Sequence, residues 1–131
     1  MMIALVLIGL GIASIYYGNI NKWTDPRVSE AREMYEQYSE LVVNEDYGGI
    51  LRLMDRILSK YDAVPHYQNS YERAVLINNK AAVYLTLALS PEEKKKEWAH
   101  TLEISPDSLL SLAEKHTGKA INLYREWEVR Y

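Results

Sequence analysis

From Val28 to Val42 apolar side chains recur every three or four residues, at Val28, Ala31, Met34, Tyr35, Tyr38, Leu41 and Val42. That spacing predicts one amphipathic helix. Asp25-Pro26 ahead of it supplies a capping carboxylate and a proline suited to the first turn. The segment Asn44-Glu45-Asp46-Tyr47-Gly48-Gly49 interrupts the stripe, which resumes at Ile50, Leu51, Met54, Ile57, Leu58 and Tyr61. Two such stripes around a short Gly/Asp joint predict a helical hairpin. Pro65 marks the next joint, and a third helix is expected from Ser70 to Leu89 with Tyr71, Ala74, Ile77, Ala81, Tyr84, Leu85 and Ala88 on one face. Ser90-Pro91-Glu92-Glu93 has the form of a capping box and opens a short polar helix. Ser105-Pro106-Asp107-Ser108 opens the last one, which carries Leu109, Leu112, Ala113, His116, Ala120, Leu123, Tyr124 and Trp127 at helical steps. No segment reads as a strand, so this part of the chain is expected to be all-α.

The chain begins differently. No charged side chain occurs before Lys22, and a helix over residues 1–21 would rise to roughly 30 Å, one hydrocarbon thickness. Tyr16, Tyr17, Lys22 and Trp23 close the apolar run, where amphipathic side chains sit at a bilayer interface. The expectation is a single transmembrane anchor at 1–21, a joint at 22–27 and a helical domain at 28–131. A cleaved secretory signal, with Gly11-Ile12-Ala13 before Ser14, and a buried core helix are the competing readings. Lys22, Arg27 and Arg32 after the span favour a cytoplasmic C-terminal domain, and Gly9 with Ala13 forms one small-xxx-small pair that permits oligomerisation.

The joint and second helix, "NEDYGGILRLMDRILSKYD", resemble the turn and second helix of a tetratricopeptide repeat (TPR). Met34, Tyr38, Leu41, Tyr47, Ile50, Met54 and Ile57 fall without a gap in the register where that motif puts its packing residues. Tyr38, Ile50 and Ile57 stand where the motif prefers small residues, which implies wider helix packing. Ile77, Ala81 and Tyr84, then Ala113, Thr117 and Ala120, give a looser second match interrupted by an insertion at about residues 90–108. The resemblance implies a fold of TPR-like antiparallel hairpins, about two repeats behind the anchor, the second carrying a helical insertion. Because stacked hairpins usually need three or more repeats for stability, something further is expected to cover them: the inserted helix, a second copy, a partner protein or the membrane-proximal segment. In tetratricopeptide-like proteins the first helix of each hairpin lines a groove whose asparagines grip a partner's backbone, so Asn78 and Asn79, with Tyr71 and Lys80, are the expected partner-facing residues; hydrogen bonds from the two asparagines to neighbouring helices are the alternative.

Composition narrows the function further. With 15 Lys+Arg against 18 Asp+Glu spread along 131 residues, no basic footprint for nucleic acid emerges. Eleven tyrosines and three tryptophans stand beside no phenylalanine, so nearly every ring carries a polar handle suited to helix interfaces near water. There is no cysteine, and His66, His100 and His116 are scattered without metal-ligand spacing. Gly48-Gly49 lacks the strand and Gly-Lys-Ser/Thr of a phosphate loop, and no nucleophile elbow or HExxH is present. Lys94-Lys95-Lys96, flanked by Glu92, Glu93 and Glu97, reads as a solvated helix face, with an anionic lipid patch as the alternative. The expected function is a membrane-anchored protein-interaction adaptor or assembly subunit, without cofactor and without enzymatic activity. The alternative is an accessory subunit of a larger membrane complex, held mainly through its transmembrane helix.

Overall fold

The structure, a computed structural model, describes residues 25–130. Among them the chain is all-helical, with no strand. The helices are α1 (Pro26–Tyr35), α2 (Tyr38–Val43), α3 (Tyr47–Asp62), α4 (Tyr71–Ala88), α5 (Glu92–Thr101) and α6 (Ser108–Arg130), with a 3₁₀ turn at Pro65–Tyr67. Packing follows chain order: α1 and α2 lie on α3, α3 on α4, and α4 most extensively on α6.

Local chemistry explains the helix ends. The Asp25 carboxylate accepts the backbone N–H of Arg27 at 2.9 Å and pairs with its guanidinium, and these bonds hold its carboxyl down to about 2. Asp46 caps α3 by accepting the Gly49 N–H at 2.8 Å. A Cβ on Gly49 would run into that carboxylate, so a side chain at this position would have to displace the cap. Ser70 caps α4 through the Arg73 N–H. Two helices end in a left-handed residue that is not glycine. After α2, Glu45 (φ 51°) donates to the Val42 carbonyl and Asp46 to the Leu41 carbonyl; after α5, Glu103 (φ 55°) donates to His100 and Ile104 to Ala99. This is the Schellman pattern, with Glu where Gly is usual.

Three expectations are corrected. The first helix is two pieces, because at Glu36 and Gln37 the backbone tightens to bonds reaching Glu33 and Met34, and the Tyr35 and Tyr38 rings stack there at 5.3 Å. The capping box at Ser90 does not form: the Ser90 hydroxyl donates to the Thr86 carbonyl at the end of α4, and α5 starts after Pro91 without a side-chain cap. The expected single-pass membrane localisation is also overturned, since no helix among the described residues is long and apolar enough to cross a membrane. The longest, α4 and α6, are interrupted by charges such as Arg73, Lys80, Lys115, Lys119 and Arg125. The expected span at 1–21 and the interface residues Tyr16, Tyr17, Lys22 and Trp23 lie outside the described residues.

The core has two parts. Val28, Met54, Ile57, Leu76, Leu87 and Leu109 form the larger, where α1, α3 and α4 meet the start of α6. Full burial of each such large side chain stabilises the fold by about 1.5–3 kcal/mol. Ala74, Ile77, Ala120 and Leu123 form the smaller, between α4 and α6. Buried alanines at 74, 81, 113 and 120 let those two helices approach closely. The inserted helix α5 covers the turn of the first hairpin: Trp98 stands edge-on to Tyr47 at 5.2 Å, over Gly48, while Lys94 pairs with Glu45 at 2.8 Å.

Candidate protein-interaction groove

Where α1, α3 and α4 diverge they leave an apolar groove of about 190 Å³, walled by Arg32 and Tyr35 from α1, Ile57 and Tyr61 from α3, and Tyr71, Glu72 and Val75 from α4. The walls follow from the helix faces. Ile57 and Tyr61 close the buried stripe of α3, while Tyr71 and Val75 sit one turn apart on the outer face of α4. A second, more polar depression of about 290 Å³ continues from it past Tyr71 and Glu72 to His66, Tyr67 and Trp127. Tyr71 is therefore the hinge between the two hollows. Its ring leans on Tyr124 at 5.5 Å and on Trp127 at 5.4 Å, yet the residue keeps 48% of its surface exposed.

Polar groups brace the groove. Arg32 pairs with Glu72 at 3.3 Å and donates to the Tyr67 hydroxyl at 3.3 Å, tying α1 to α4 across the opening. Tyr61 stacks on Tyr67 at 5.4 Å with the rings nearly parallel. Burial, helped by Glu72, pushes the Tyr61 phenol above its ordinary range, and burial does the same to Tyr124. Both rings are uncharged hydroxyl bearers at neutral pH. The groove thus offers apolar area with hydroxyls, one guanidinium and one carboxylate at its rim, which suits a peptide segment.

The expected partner-facing residues separate into two pairs. Tyr71 and Asn78 are exposed on one face of α4, two helical turns apart. Asn79 and Lys80 are engaged within the fold: Asn79 donates to the Tyr35 hydroxyl at 2.9 Å, and the Lys80 ammonium pairs with Asp55 on α3. Arg32, Tyr35, Tyr61, Glu72 and Val75, which also wall the groove, are not among the expected residues. A signal for one of them exists, since the register that equates Met34 with Ile77 also equates Tyr35 with Asn78.

Elsewhere among the described residues no group of three His, Asp or Glu side chains is placed to hold a metal ion. His116 lies half-buried in α6, its Nδ1 2.8 Å from the Leu112 carbonyl and its ring 5.2 Å from that of Tyr84. Burial pushes its imidazole below the ordinary range, and Lys80, Lys115 and Lys119 act in the same direction. No family model, curated protein or solved structure matches the chain.

Proposed function

We propose that this chain is a protein-interaction module built of TPR-like helical hairpins, which holds a segment of a partner protein in the groove between α1, α3 and α4. The observation that carries the reading is the groove itself: a concave apolar surface shared by successive hairpins, rimmed by Arg32, Glu72 and tyrosine hydroxyls. The chain-order packing of α1 on α3, α3 on α4 and α4 on α6 supports the TPR-like arrangement, with α5 as the insertion. Partner binding of this kind draws on hydrogen bonds to an extended or helical peptide and on pockets for its side chains. Binding, and not catalysis, is the proposed role.

The test is co-purification with the full-length chain and with two variants. Val75→Arg places a charge in the groove, and Lys96→Ala alters an exposed residue of α5. A partner retained by the wild type and by Lys96→Ala, but lost from Val75→Arg, supports the groove. Identical partners on all three chains exclude it.

A further inference from the structure

The outer side of α6 carries the row Leu110, Glu114, Gly118, Ile121, Arg125 and Val129 at helical steps, and all six are exposed. None of them lines the groove or its polar extension. The apolar members are unusually bare for their size: Leu110 is 51%, Ile121 44% and Val129 90% exposed. Glu114 and Arg125 take part in none of the salt bridges among the described residues. Gly118 sits mid-helix, where glycine is unfavourable, and a Cβ there would meet nothing within 4 Å. Nothing in the described chain requires that glycine.

Read in reverse, the row is complementary to itself. We propose that a second copy of this chain packs its α6 antiparallel on this one, about a two-fold axis level with the Lys119–Ala120 peptide. In that register Leu110 meets Val129 of the other copy, Glu114 meets Arg125, and Ile121 enters the space left open at Gly118. Each contact occurs twice, as an isologous interface demands. The glycine lets the helices approach to the short end of the usual 8–10 Å separation. The two ion pairs set the antiparallel direction, because a parallel pairing in the same register would put Glu114 against Glu114 and Arg125 against Arg125. One symmetric placement thus accounts for the bare apolar residues, the two unused charges and the open glycine.

The experiment is sedimentation of the full-length chain and of charge-swapped variants, with helicity checked by circular dichroism. The wild type is expected to form a dimer that dissociates on dilution. Glu114→Arg should weaken it by roughly tenfold or more, and Glu114→Arg with Arg125→Glu should restore it, because the swapped charges pair again. Gly118→Gln should abolish the dimer while keeping the helix, since its Cβ has free space in the single chain. A wild type that stays monomeric up to about 1 mM, weaker than any specific contact of this size, overturns the proposal. So does a double swap no better than the single one, a Gly118→Gln chain that dimerises unchanged, or a different polypeptide that binds the wild type and is lost from Gly118→Gln.

Discussion

Single residues in this chain carry measurable strain and measurable capping. Glu103 is held at positive φ with an exposed side chain, and a left-handed L-residue costs roughly 1–2 kcal/mol. Glu103→Gly is therefore expected to raise stability by about 0.5–1 kcal/mol after the entropy that glycine adds to the unfolded chain, read as an increased urea midpoint. Asp46→Ala removes the cap of α3 and should cost about 1 kcal/mol by the same measurement. His116 adds a pH dependence. Its folded value is depressed, so between that value and the ordinary 6.5 the unfolded chain binds the extra proton. Stability should thus fall as pH drops below about 6.5 and level off beneath the folded value, and urea titrations of His116→Gln should lack that slope. Sequence reasoning anticipates the cap at Asp25, because a short oxygen-bearing side chain before an apolar stripe is a local signal, but it places Ser70 inside α4 where the structure makes it the cap. It does not anticipate Glu45 and Glu103 as helix terminators, since glycine is the residue that marks such ends.

Helices were legible where one face alone meets the core, as in α3, whose buried residues largely follow the periodic stripe. In α4 the stripe finds Ala74, Ile77 and Ala81 but not Leu76, Val83 and Leu87, because that helix is buried on two sides, by α3 and by α6. The break between α1 and α2 was hidden because Tyr35 and Tyr38 both continue the period, and the stacking of their rings is a property of their bulk. Of the four residues expected to face a partner, only Tyr71 lines the candidate groove. Tyr71 and Asn78 share a face, but Asn79 and Lys80 lie about 100° and 200° further round the helix, against α1 and α3. The walls from α1 and α3 depend on how three helices approach, which no single stripe encodes. At this scale the insertion is a cover for the first hairpin. Trp98→Ala is expected to destabilise the fold by about 2–3 kcal/mol, less than a fully buried tryptophan, and to speed amide exchange at Tyr47 and Gly48. Ala120→Leu should cost about 1–3 kcal/mol by overpacking the α4–α6 seam, measured by denaturant unfolding.

At the scale of the molecule, the described residues present two surfaces with different chemistry. The groove is apolar and rimmed with hydroxyls and one ion pair, whereas the α6 row alternates charge and hydrocarbon in a self-complementary order. On this account the groove receives another protein and the row receives another copy, so each chain of a dimer keeps its groove open. The most direct measurement of the central claim is photo-crosslinking in cells from a photoreactive amino acid placed at Val75, with a second chain labelled at Lys96 as control. The account predicts an adduct with a different protein from position 75 and none from position 96, and its loss on Tyr71→Ala. No adduct from position 75, or the same adduct from both positions, contradicts it.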